Sequence, residues 1–275
     1  MTSAEGERYR FANDGDDGNY FPVQPLEAAG VVGHTYTLHI EVGGRVYKSN
    51  PVTLKGPVPI DSIHAEVDEQ VFSFPRYKER KVLPGYKVLV DYQDPADVKN
   101  FLRWTFESIY EVETEPRDFV DSLGRPAPKN CCTRCIISER PDRFKVLSDR
   151  LANGQKRGNQ EILFIPFERY ITKKYKLRVY QHAITEQAYE FFRIMEQQKE
   201  TTGTVFDPPP AELKGNMFNV NDEDEQVIGF FDVSAVSVEE IVFLLEDIAY
   251  PVPDFIYPDD CCTLPGASAE IPEDW

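Results

Sequence analysis

The chain has 275 residues, 41% of them hydrophobic and 12% aromatic, which supplies a core and excludes wholesale disorder. Thirty Lys and Arg against 47 Asp and Glu leave a net charge of −17, and a surface that acidic repels phosphate backbones and argues against nucleic acid as a partner. No apolar run approaches the ~20 residues of a spanning helix, and Met1–Arg8 has neither the basic start nor the apolar stretch of a secretion signal.

The dominant pattern is period-2 alternation in short runs rich in β-branched and aromatic residues. Thr35–Val42 puts Tyr36, Leu38, Ile40 and Val42 on one face; Gly43-Gly44 and Arg45–Lys48 follow. Two alternating runs joined by Gly-Gly predict a hairpin, because glycine takes positive φ at both turn positions without strain. Val52–Leu54 and Val58–Ile63 continue the pattern, with Pro57 and Pro59 confining that strand to an edge or a domain junction. The chain divides near residues 57–66, giving a hairpin-rich block over 1–60 and a larger unit over 61–275.

In the larger unit, strands are expected at Tyr86–Tyr92 and, after a turn at 93–97, over Arg103–Val112. There Trp104, Phe106, Ser108, Tyr110 and Val112 share one face, and Arg103, Thr105, Glu107 and Glu111 the other. Further strands are expected at Glu161–Phe167, Tyr175–Ile184, Val227–Val233 and Val238–Leu245. One segment switches to helical spacing: Thr185 as N-cap, a stripe of Ala188, Phe191, Phe192 and Met195, and Gly203 as the stop. That stripe reads as a core contact, while Glu190, Arg193, Glu196, Gln197 and Glu200 face water. Pro208–Pro210 forms a rigid connector, and 13–19, 148–158 and 219–226 read as loops. Many short strands with almost no crossover helices favour an antiparallel β-sandwich over a parallel sheet.

The cysteines fall in two clusters, Cys131, Cys132 and Cys135, then Cys261 and Cys262. Disulfides, a zinc site and free thiols all remain open, with disulfides favoured. Adjacent cysteines seldom both bind one tetrahedral metal, and Cys132-Thr133-Arg134-Cys135 lacks a second half-site of the same spacing. A redox Cys-x-x-Cys would want a strand-to-helix turn that is missing here. A bridge between the clusters would pin the C-terminal tail to the body, and with five cysteines at least one stays unpaired within the chain.

Other constellations are weaker. Asp14, Asp16 and Asp17 match a calcium loop only in part, and Asp222–Glu225 lacks spaced carboxylates, so both read as solvated turns. His34, His39, His64 and His182 are scattered with no paired metal spacing, and His39 and His182 read as surface or satisfied histidines. No nucleophile elbow, phosphate loop or dinucleotide glycine pattern is present, and no motif asks for a cofactor. A glycosidase needs only two carboxylates in a cleft, and nothing selects a pair among 47 acids. Tyr250, Phe255 and Tyr257 could stack on sugar rings or pack the tail on the body, the second being favoured.

Taken in order, the segments Gly33–Ile40, the Gly-Gly turn with Val46-Tyr47, Pro59–Ile63, Asp94-Pro95, Asn100–Trp104, the helix Glu186–Gln198, Phe206–Pro210, Gly215-Asn216, Gly229–Phe231, Cys261-Cys262 and Pro272–Trp275 resemble the family catalogued as domain of unknown function 4249. The resemblance runs from about Tyr9 to Trp275. It implies an exported β-sandwich lipoprotein of the outer membrane in Bacteroidota-type bacteria, whose first domain is immunoglobulin-like. Genes of the family often neighbour TonB-dependent transporters, so a transporter or surface protein is the implied partner. No activity or functional residue is established for the family. Since Met1 falls where the first domain should already be under way, an N-terminally incomplete domain is expected, with the lipid anchor inferred and not seen. Three roles follow as expectations: a non-catalytic accessory module, a glycan- or peptide-binding adhesive sandwich, or a carboxylate-dependent hydrolase.

Overall fold

The computed structural model describes all residues except 14, 16–17, 25–29, 75–78, 97, 151–152, 168–172, 201–211, 249, 251–256 and 273–274. The fold is mainly β, and every ladder among the described residues is antiparallel. The first block carries β1 (Thr2–Ser3), β2 (Phe11–Asn13), β3 (Tyr20–Pro22), β4 (Thr35–Thr37), β5 (His39–Val42), β6 (Arg45–Ser49) and β7 (Val52–Thr53). The remainder carries β8 (Ser62–Phe74), β9 (Glu79–Gln93), β10 (Phe101–Glu113), β11 (Arg134–Glu139), β12 (Phe144–Ser148), β13 (Lys156–Pro166) and β14 (Lys174–Ile184). Helix α1 (Glu186–Glu200), β15 (Met217–Asn219), β16 (Ala235–Leu244) and β17 (Ala267–Ser268) complete it.

Two sheets face each other across the main core. One has the order β13-β9-β8, the other β16-β14-β10-β11-β17 with β12 also paired to β10. Tyr86, Val88, Val90 and Tyr92 of β9 meet Trp104, Phe106, Tyr110 and Val112 of β10 and Leu177 and Val179 of β14 in one buried cluster. The alternation expected in β10 is present, and every second residue from Leu102 to Val112 is buried. Its other face is not simply wet. Because β10 lies inside the sheet, Glu107 and Glu111 are buried too, at 8% and 4% exposure. Each is covered by the cation it pairs with: Arg178 donates to Glu107 (2.9 Å), and Arg134 grips Glu111 through two bonds of 2.8 and 2.7 Å.

Helix α1 closes one end of that outer face. The Thr185 hydroxyl accepts the Ala188 N–H (3.2 Å), the N-cap bond expected from the sequence. Ala188 is fully buried beside Phe101 and Ile184, with Tyr189, Phe192 and Phe230 packed around them. Arg150 reaches Glu186 and Glu190 on the helix's polar side. Gly203 and the Pro208–Pro210 connector lie outside the described residues.

Several local expectations are corrected. Thr35–Val42 is not one strand: it breaks at Leu38, with β4 joining β1 and β7 while β5 joins β6 and β15. The Leu38 N–H donates to the Ser49 hydroxyl (2.9 Å) instead of a ladder carbonyl, so the chain changes sheet there. Ile40 and Val42 consequently end up exposed, while Tyr36 is buried. The Gly-Gly hairpin does form, with Val42 opposite Arg45 and φ of 56° and 78° at Gly43 and Gly44. Strand β8 starts at Ser62 and runs 13 residues, pairing with β9 along a ribbon longer than Tyr86–Tyr92 alone suggests. Strands β11 and β12 are additions to the sequence reading.

Val227–Val233 forms no ladder. The Asn216 side chain does a ladder's work there, accepting the Phe231 N–H (2.7 Å) and donating to the Phe231 carbonyl (2.8 Å). The first block also takes a strand from far along the chain, since β15 at 217–219 pairs with β6.

Candidate functional site

All five cysteines converge at one end of the six-stranded sheet. Cys135 sits on β11, whose ladder with β10 turns its side chain toward the interior at 1% exposure. The tail brings Cys261 and Cys262 in on a single 3₁₀ turn, Cys261–Thr263, capped by Asp260, whose carboxylate accepts the Cys262 N–H (2.8 Å). Cys135 and Cys261 form a disulfide with Cα atoms 5.9 Å apart, across a sequence separation of 126. Cys131 and Cys132 are bonded to each other, and Cys132 takes a positive φ of 60°. Cys262 is the free, exposed thiol. Of the readings left open by spacing, the disulfide one therefore accounts for four of the five.

The bridge is one stitch among several. The Cys261 N–H donates to the Cys132 carbonyl (3.1 Å), which also accepts the Thr114 hydroxyl (3.0 Å). Glu115 N–H donates to the Tyr257 carbonyl (2.9 Å), Lys129 pairs with Asp259, and β17 adds a short rung to β11. Farther on, the Lys174 ammonium lies 4.4 Å from the ring centroid of Trp275. The tail is thus held covalently, by hydrogen bonds and by a cation–π contact.

A second constellation, on the opposite sheet face beneath α1, escaped the sequence reading. Arg103 of β10 stands opposite His182 of β14. The guanidinium carbon lies 4.1 Å from the Phe192 ring centroid, and burial lowers the Arg103 pKa against the opposing pull of Asp232. His182 is held by Thr105 (2.9 Å) and Ser234 (3.2 Å), and burial, with Arg103 adding to it, pulls its pKa down to about 4. Asp232 faces the same space, and burial raises its pKa against the opposing pull of Arg103. Both of its carboxylate oxygens and Arg103 Nε are buried without a hydrogen-bond partner, although the neighbouring Val233 N–H also opposes the rise in the Asp232 pKa. These groups can bind charge and hold a proton. A two-carboxylate hydrolysis would need a second acid facing Asp232. The only signal in the sequence was one arginine on an otherwise ordinary strand face, and the partner residues lie about 80 and 130 positions away.

The remaining candidates are structural or lie outside view. Asp14, Asp16 and Asp17 are outside the described residues, as is Phe255. In the acidic run, Glu225 accepts from Tyr47 and Arg45 and from Asn219, which ties the loop to β6. His39 contacts Thr2, His64 contacts Asn159 and His34 pairs with Glu5, each apart from the others. Tyr250 packs on Phe167 (5.9 Å between centroids) and its hydroxyl donates to Glu69, so that ring is part of the body's packing. No helix among the described residues is long and apolar enough to cross a membrane.

The geometry defines a β-rich protein whose two-sheet core is locked to its C-terminal tail by a buried disulfide. The chain belongs to the family described as domain of unknown function (DUF4249), whose model matches residues 1–240. No curated protein and no solved structure matches it.

Proposed function

We propose that this protein is a non-catalytic, lipid-anchored cell-envelope module with an immunoglobulin-like first unit, acting beside an outer-membrane TonB-dependent transporter or another surface complex. The observation that carries the reading is the buried Cys135–Cys261 disulfide. Structural disulfides persist in oxidising compartments and are rare in reducing ones, and the envelope setting is what the resemblance noted from the sequence implies. No catalytic motif competes with this. The decisive experiment expresses the gene, with its native upstream frame and a C-terminal tag, in its own host. The tagged protein is expected in the outer-membrane fraction, cross-linking to a transporter whose ligand uptake falls on deletion of the gene. Recovery in the cytosol with all cysteines reduced, or unchanged uptake with no membrane partner captured, overturns it.

An adhesive, glycan- or peptide-binding role is the second reading. It draws on Val67, Val71 and Val82, which stand exposed on the β8–β9 ribbon at 48–64%. Charged replacements at these three positions that abolish capture of a peptide or glycan ligand, with fractionation unchanged, would favour it; silence on both ligand arrays removes it.

A further inference from the structure

Three sulfurs at the tail junction lie within 4.8 Å of one another: Cys135, Cys261 and Cys262. Two are joined and inaccessible, Cys135 at 1% and Cys261 at 0% exposure. The third is exposed and unpaired, and its Sγ sits 3.6 Å from that of Cys135, in van der Waals contact with one end of the existing bond. A free thiol and a disulfide held in contact by a folded framework are the reactants of thiol–disulfide exchange, already brought together.

We propose that the tail tether is an exchangeable disulfide, in which Cys135 alternates between Cys261 and Cys262, and that the outer isomer is the form through which external thiols reach it. The step is redox-neutral. The Cys262 thiol gives its proton to water, and its thiolate attacks Cys135 Sγ. A Cys135–Cys262 bond forms, the Cys135–Cys261 bond breaks, and the electron pair leaves on Cys261 Sγ, which takes a proton from water. The tail stays attached throughout, because both alternatives lie on the same 3₁₀ turn. What changes is access. In the inner isomer both bonded sulfurs are buried and an exposed thiol is on display; in the outer isomer the thiol is buried and the bond has an exposed sulfur open to attack. Partial desolvation and the Asp260 carboxylate raise the Cys262 pKa, which keeps the thiolate scarce near neutrality. Exchange is therefore a slow gate, and the result does not depend on which compartment or partner the protein uses.

Three measurements on the folded protein test this. In wild-type protein incubated at pH 8.5, quenched with acid and alkylated, peptide mapping is expected to find both Cys135–Cys261 and Cys135–Cys262. Cys261→Ser, folded by circular dichroism, is expected to form Cys135–Cys262 nearly quantitatively. Cys262→Ser keeps the inner bond, and its reduction by dithiothreitol, followed on the Cys135 peptide, is expected to be at least tenfold slower than in wild type. A single Cys135–Cys261 species in wild type, pairing of Cys262 with Cys131 or Cys132, or equal reduction rates of wild type and Cys262→Ser overturns the proposal.

Discussion

The indole N–H of Trp104 donates to the side-chain oxygen of Gln181 over 2.8 Å, both side chains being fully buried and directly opposite each other on β10 and β14. The same amide turns its nitrogen to the Val58 carbonyl (2.6 Å), which also accepts the Ser237 hydroxyl (3.0 Å). One glutamine thus ties the main sheet to the segment that leaves the first block.

Replacing Gln181 by Leu keeps the volume but orphans the Trp104 N–H, while Val58 retains Ser237 as a donor. A buried donor without a partner costs about 1–3 kcal/mol. The variant is expected to lose about 2 kcal/mol in urea unfolding followed by tryptophan fluorescence. A loss below about 0.5 kcal/mol would show that the bond does not hold the junction.

The tether closes a separation of 126 residues. Chain-entropy reasoning assigns roughly 2–5 kcal/mol to such a bridge. The Cys135→Ser/Cys261→Ser/Cys262→Ser triple variant, which removes both pairings, is expected to unfold at a clearly lower temperature in a thermal scan without reductant. Equal melting temperatures would mean that the non-covalent stitches suffice.

His182 supplies the pH dependence. Burial keeps its imidazole neutral down to about pH 4, against an ordinary value of 6.5. Between those values the unfolded chain binds a proton that the folded one refuses, so folding stability falls as the pH is lowered from 6.5 toward 4. The pKa difference corresponds to about 3 kcal/mol at most. Replacement of His182 by Gln, which keeps a donor and an acceptor, is expected to flatten the stability profile in that window. Unfolding curves at pH 7, 6, 5 and 4 decide it; identical slopes in the two proteins would reject the assignment.

Gly215 runs against the chain at Gly229, and a Cβ there would lie 1.9 Å from the Gly229 carbonyl oxygen. Only backbone movement can relieve that. Gly215→Ala should therefore cost about 2–3 kcal/mol and disturb the Asn216–Phe231 pair beside it. Amide exchange at Phe231 would report it, and unchanged protection there would contradict the crossing.

Much of this molecule was legible from local pattern. The alternation of Trp104, Phe106, Tyr110 and Val112 identified the core strand, Gly43-Gly44 the turn of the β5–β6 hairpin, and Thr185 with the Ala188–Met195 stripe the helix, because each depends on residues a few positions apart. The ordered motifs likewise carried the family. Tertiary structure alone decided which faces met. Nothing near Leu38 signals that a continuous strand pattern will divide between two sheets, since the event depends on Ser49 offering its hydroxyl. Nor does the alternation in β10 reveal that Glu107 and Glu111 are buried, since their covering arginines come from β14 and β11. The cysteines show the division most plainly. Sequence established two clusters, an odd number and a preference for disulfides. Which sulfur bonds and which lies in contact was decided by β11 and the 3₁₀ turn at Cys261, brought together from 126 residues apart, because sulfur chemistry depends on distances that only the assembled fold sets.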